Sequence, residues 1–225
     1  MDCPDNMKCV FDQVNSSEHN RKLFSVAGKV YRDSILLSDL EPEEKIINNL
    51  QDLEIVTKFI KLFGSKIVLT MGTFDLLHVG HARYIKKARK HGSLLIVGVD
   101  DDQKARGRKG ENRPAVPYIE RSELITYLRY ADLIAMKSVS ETKWAMIKVV
   151  RPDVLIAVKG TYSNEEVEAL REFCGQVVVL DRQAETSTSN QIRRMALDGA
   201  ENFKRILAEE LPMFASGIYE KMKRG

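Results

Sequence analysis

The stretch Lys66-Ile67-Val68-Leu69-Thr70-Met71-Gly72-Thr73-Phe74-Asp75-Leu76-Leu77-His78-Val79-Gly80-His81 decides how this chain folds. Its first six residues are largely apolar or β-branched and stop at a glycine, which predicts a buried strand. Residues 79–90 follow with helical spacing and end at His91-Gly92, in the manner of a glycine C-cap. A buried strand, a glycine-containing loop and a helix in that order make the first β–α unit of a parallel sheet.

The alternation continues downstream. Short apolar runs predict strands at 94–99, 132–136, 153–158 and 176–180, and helical patterns fall at 117–130, 141–151 and 164–174. The ten polar residues 104–113 read as a loop. Fully apolar strands alternating with helices predict an α/β fold covered on both faces: a Rossmann-like, doubly wound, five-stranded parallel sheet in the order 3-2-1-4-5. Three segments follow: an extension at 1–64 with a helix at 42–63 packing on the core, a central domain at 65–199, and a helical tail at 200–225. Ile46, Ile47, Leu50, Leu53, Ile55, Val56, Phe59 and Ile60 form the apolar face of the first, and Pro212 is expected to break the tail into two helices.

Bulk composition narrows the class. Hydrophobic residues at 44% and charged residues at 30% fit a globular domain, and a net charge of +3 is too small to make nucleic acid the main partner. No apolar run approaches the ~18 residues of a membrane span. The start, Met1-Asp2-Cys3-Pro4-Asp5, lacks the basic-then-apolar layout of a signal peptide, and three cysteines suit a reducing compartment. The expected setting is the cytoplasm, with no membrane and no nucleic acid among the partners.

The chemistry concentrates where parallel sheets bind ligands, beyond the carboxyl ends of the strands. Gly72 lets backbone approach a ligand, and the helix start that follows offers unpaired N–H groups. His78 and His81, three residues apart, lie on one face of that helix, where imidazoles hydrogen-bond phosphate oxygens that gain charge during phosphoryl transfer. A zinc site is the competing reading, with Asp75 the one further ligand nearby. The loop 104–113 carries five cations against one acid, placed to fold over a triphosphate; RNA binding would want more interleaved aromatics than Tyr118.

The segment Gly72-Thr73-Phe74-Asp75 with His78-Val79-Gly80-His81 resembles the signature of the cytidylyltransferase-like nucleotidyltransferase superfamily, over roughly residues 66–197. The resemblance implies transfer of a nucleoside monophosphate from a nucleoside triphosphate to a phosphorylated acceptor, with Mg²⁺ accompanying the triphosphate and pyrophosphate leaving. It implies nucleotide contacts from Gly72, Thr73, Phe74, Asp75, His78, His81 and Asp102. Lys109-Gly110-Glu111-Asn112-Arg113-Pro114 is similar to the matching region of sugar-phosphate nucleotidyltransferases, making Lys109 and Arg121 phosphate or substrate contacts and Arg106 and Arg113 weaker ones. Arg182, Ser187, Thr188 and Ser189 match the second signature; Arg182 and the helix start would hold pyrophosphate beside Lys109. Lys159, after the fourth strand, stands where many members have Gly-Asp, and is read as an acceptor-phosphate ligand or a snorkelling strand-end residue.

Within the superfamily the chain looks most like the adenylyltransferase domain of ADP-heptose synthesis, so ATP and a heptose 1-phosphate are the expected substrates. A CTP-dependent enzyme for glycerol- or ethanolamine-type phosphates is the alternative, and a flavin-nucleotide or coenzyme adenylyltransferase comes third. A non-catalytic nucleotide-binding regulator is the reading from another class. A homodimer is a family expectation.

Overall fold

The computed structural model describes residues 17–36, 40–181, 183–184 and 188–223. They fall into two compact units, one ending at Glu185 and the other beginning at Thr186.

The first unit holds a six-stranded, wholly parallel sheet: β1 (Ile46–Ile47), β2 (Ile67–Gly72), β3 (Leu94–Asp100), β4 (Leu133–Lys137), β5 (Val154–Val158) and β6 (Gln176–Leu180). The spatial order is β1-β4-β3-β2-β5-β6. The five long strands therefore take the expected 3-2-1-4-5 order, and a two-residue sixth strand is added at the edge, pairing Ile46 with Ile134 and Ile47 with Ala135. After β2 the chain builds outward through β3 and β4, then returns across to β5 on the other side of β2. That reversal makes the carboxyl end of β2 the switch point where α/β sheets bind ligands.

The inner strands are buried on both faces. Ile67 and Leu69 join one core with Leu94, Ile96, Leu133 and Leu155; Val68 joins the other with Leu95, Val97, Ile134 and Ile156. Helices α1 (Glu18–Leu36), α2 (Leu50–Leu62), α6 (Ala145–Val150) and α7 (Asn164–Leu170) cover the first face. Helices α3 (Val79–Arg89) and α5 (Tyr118–Thr126) cover the second. Two aspartates pin the amino ends of strands: Asp153 Oδ2 accepts from Ile67 N at 2.7 Å, and Asp132 Oδ2 from Leu95 N at 2.6 Å.

Several elements differ from expectation for physical reasons. The helix expected at 42–63 is three pieces: a 3₁₀ turn at Pro42–Lys45, β1, and α2. The β-branched pair Ile46-Ile47 fits a sheet edge, and Asn49 caps α2 by accepting from Asp52 N at 2.8 Å. The expected loop 104–113 is instead a helix, α4 (Asp102–Lys109), followed by a turn. Asp101 caps it, accepting from Lys104 N at 2.6 Å, and Gly110 ends it at φ 101°. Only Ala105 of α4 is buried, so apolar periodicity could not reveal it. Helices α5, α6 and α7 are shorter than expected; α6 starts late because Trp144, before it, sits at φ 63°.

The second unit is a single helix, α8 (Thr188–Lys223), which runs through Pro212 where a break was expected. Proline deletes one hydrogen bond, but its fixed φ is a helical value, and helix formers stand on both sides of it. No helix among the described residues is long and apolar enough to cross a membrane.

Candidate active site

The site grows from the loop between β2 and α3. Phe74 (φ 52°) and Leu76 (φ 46°) both take left-handed backbone, a costly conformation for residues with side chains that persists only where surroundings impose it. A Cβ on Gly72 would meet the Phe74 ring at 3.2 Å. Phe74 itself is buried and stands edge-on to His81, with ring centroids 5.5 Å apart.

The two histidines cap the helix that carries them. His78 is the N-cap of α3, its Nδ1 accepting from Gly80 N at 3.1 Å, and His81 Nδ1 accepts from His78 N at 3.4 Å. An imidazole whose Nδ1 accepts is neutral and carries its proton on Nε2. The caps thus fix one tautomer for both rings, leaving two Nε2–H donors on rings whose centroids are 4.0 Å apart. Burial, then His78 and Lys109, push the His81 pKa down to about 4, with Asp75 working the other way; burial also lowers that of His78. The pair therefore acts as hydrogen-bond donors at neutral pH, not as cations.

A titration tests this directly. His81 followed by NMR in the ligand-free protein should stay neutral until about pH 4. The unfolded chain takes up this proton near the ordinary value of 6.5, so it binds more protons than the folded state between about 4 and 6.5. Stability contributed by His81 is complete above 6.5 and declines as pH falls toward 4. Titration of His81 at 6.5 in the folded protein would contradict the arrangement.

Gly80 went unnoticed in the sequence as a functional position. A Cβ there would lie 2.8 Å from His78 Cε1, 2.9 Å from His78 Nδ1 and 3.1 Å from Ala184 Cβ, in the segment after β6. Gly80→Ala should therefore displace the His78 ring and lower turnover at least ~10-fold, since small misplacements of a reacting group are costly. Parallel rate and melting measurements should show a smaller effect on stability; unchanged turnover contradicts the close fit.

The carboxylates at this edge are held by cations. Asp75, expected to contact nucleotide, is buried at 1% exposure; its oxygens accept from Ala115 N and Val116 N at 3.0–3.1 Å, and Arg113 Nη2 lies 2.8 Å away. It ties the histidine loop to the segment after α4. Arg113, itself 9% exposed, completes that tie rather than presenting a surface cation. Asp100, unremarked in the sequence, is fully buried; its Oδ2 accepts from Thr73 Oγ1 at 2.9 Å and Arg108 Nη1 at 2.7 Å, and Lys137 Nζ is 3.4 Å from Oδ1. Thr73, also buried, is thus another internal link.

Arg121, expected to contact phosphate, is 1% exposed. It donates to Val116 O at 2.8 Å, Thr73 O at 2.5 Å, Asp100 O at 2.9 Å and Asp102 Oδ1 at 2.7 Å. It is a strut joining the ends of β2, β3 and the α5 approach, and it occupies Asp102. The cations presented outward are on α4: Arg106 and Lys109 are exposed near its end. Lys109 acts on His81, and partial burial with Arg113 and Arg108 lowers its own pKa, while Asp100 and Asp75 raise it.

Lys159 is exposed beyond β5, in a turn closed by Thr161 N donating to Val158 O at 3.0 Å, with Gly160 at φ 83°. Positive φ is what this turn demands of its third residue, and Gly160 supplies it. Arg182 and Ser187 lie outside the described residues; Thr188 and Ser189 open α8, their side chains outside the description. Among the described residues no group of three or more His, Cys, Asp or Glu is arranged to hold a metal.

A neutral histidine pair thus stands at an α/β switch point, with the basic helix α4 following the neighbouring strand. The sequence profile of the cytidylyltransferase-like family matches residues 69–206, and the chain belongs to that family. It is similar to the bifunctional protein HldE of a Nitratiruptor species, with 32% identity over 76% of this chain and 38% of that protein. With the HldE protein of Helicobacter hepaticus the identity is 39%, over 67% of this chain and 30% of that one. The chain thus spans about a third of these relatives' length. Its fold resembles that of a pantoate-beta-alanine ligase from Francisella tularensis (TM-score 0.51, 16% identity, 65% of this chain and 72% of that one).

Proposed function

We propose that this protein transfers AMP from MgATP to a sugar 1-phosphate of the heptose 1-phosphate type, releasing pyrophosphate. The observation that carries the reading is the pair of Nε2–H donors fixed at the start of α3, with Lys109 of α4 near enough to act on His81. The resemblance to the adenylyltransferase domain of ADP-heptose synthesis favours the sugar phosphate.

The acceptor phosphate oxygen attacks the α-phosphorus as the bond to the bridging oxygen breaks, and pyrophosphate departs on the far side. His78 and His81 donate to the non-bridging oxygens as charge builds there, while Lys109 and Arg106 meet the departing phosphates. By resemblance, Arg182, Ser187, Thr188 and Ser189 are proposed as phosphate ligands, and Lys159 as a ligand of the acceptor. Positioning and charge stabilisation do the work, so no covalent intermediate is required. Magnesium arrives as part of the nucleotide, because Asp75, Asp100 and Asp102 are each already within 2.8 Å of an arginine nitrogen. The proposed setting is the cytoplasm.

A CTP-dependent reaction on a small phosphorylated alcohol is the second reading, favoured by the family's own name. Pyrophosphate release measured across four nucleoside triphosphates and a panel of phosphorylated acceptors separates the two. ATP with a sugar 1-phosphate should give the largest kcat/KM. Preference for CTP with glycerol phosphate or ethanolamine phosphate establishes the second reading, and nucleotide binding without release in any pairing establishes a regulator.

A further inference from the structure

Helix α8 extends for 36 residues, roughly 54 Å at the helical rise, and its large apolar side chains are exposed. Counting outward from Leu207, apolar residues recur symmetrically: Phe203 and Leu211 at four residues, Ala200 and Phe214 at seven, Ala196 and Ile218 at eleven. Spacings of four, four and three make an eleven-residue repeat of about 3.67 residues per turn, which holds the stripe on one face of a nearly straight helix. The stripe therefore reads the same in both directions.

A surface that matches its own reverse is what an isologous two-fold contact requires. We propose that α8 pairs antiparallel with α8 of a second copy of this chain, with the two-fold axis at Leu207. The area is adequate: Phe203 is 62% exposed, Phe214 71%, Leu211 55%, Ile218 46% and Leu207 40%. At on the order of 100 Å² per large side chain, these five bury about 500 Å² on each helix, about 1,000 Å² in all, the least that a specific interface needs. The opposite face carries Arg194, Asp198, Glu201, Arg205 and Glu209, and Pro212 lies there too. Its charges nearly cancel, whereas an interfacial membrane helix needs a Lys/Arg-rich polar face. The pairing is independent of which nucleotide or acceptor the first unit uses.

Light scattering on the full chain at micromolar concentration should give twice the 25.6 kDa of one copy, and Phe203→Glu with Leu207→Glu should give 25.6 kDa. Cysteine scanning in a Cys3→Ser, Cys9→Ser background reports orientation without disturbing the stripe. Leu207→Cys should link to itself under mild oxidation. Ala196→Cys and Ile218→Cys should each fail to link alone and should link when mixed. A wild-type mass of 25.6 kDa, an unchanged mass in the double Glu variant, or self-linking at Ala196→Cys overturns the proposal. So does a monomer that binds vesicles containing anionic lipid, which would assign the face to a membrane.

Discussion

Replacing His78 or His81 with alanine should lower turnover by about 10²–10³ while the melting temperature changes little, the loss expected when one preorganised donor to a developing charge is removed. The expectation follows from the geometry at the start of α3. Each ring spends Nδ1 on the helix and leaves Nε2–H as its donor, so alanine removes the proposed donor to the transferring phosphoryl group together with a cap. An N-cap costs about 1 kcal/mol, which is small beside the ~2.7–4 kcal/mol by which the barrier rises. The His78→Asn variant sharpens the test, because asparagine caps well but places no donor where Nε2–H stood. It should recover stability and stay slow. Variants within about threefold of the wild-type rate would mean that the pair serves the helix alone.

The second large effect falls on stability. Arg121→Ala should destabilise the first unit by about 3–5 kcal/mol, the range for breaking a buried charged network by removing one partner. At about 2–4 °C per kcal/mol for a domain of this size, the midpoint drops by roughly 10 °C. The guanidinium is 1% exposed and donates to the carbonyls of Thr73, Asp100 and Val116 and to the Asp102 carboxylate, so alanine removes the donor from each of these acceptors. Lysine does not rescue it, since a point charge cannot reproduce the fork. A midpoint within about 2 °C of wild type would show that the network is not what joins the strand ends.

Much of the fold was legible because the five long strands are apolar and separated by helical patterns, which leaves few topologies open. What escaped had no periodic signal. Helix α4 buries only Ala105, so its evidence was confined to its ends, Asp101 and Gly110. The pair Ile46-Ile47 reads as part of a helical face until its pairing with β4 is known, and pairing is not local. Pro212 reads as a breaker in sequence, although its fixed φ is compatible with the helix around it.

The site divides in the same way. The placement of Gly72 at the end of β2 and of His78 and His81 at the start of α3 could be read from spacing, because the strand–loop–helix order fixes it. The roles of Asp75, Thr73 and Arg121 could not, since a charged or hydroxyl residue near a phosphate site looks alike in sequence whether it meets the ligand or braces the walls. Burial separates the cases. Gly80 is informative only once the His78 ring is seen 2.8 Å from where its Cβ would stand.

The central claim is that this site joins a nucleotide's α-phosphorus to an acceptor phosphate. Phosphorus NMR of the protein with MgATP and a sugar 1-phosphate tests it most directly. Paired resonances of a new sugar–pyrophosphoryl–adenosine linkage should appear and grow in step with pyrophosphate. Release of ADP with inorganic phosphate, or unchanged ATP in the presence of every acceptor and every nucleotide, would contradict it.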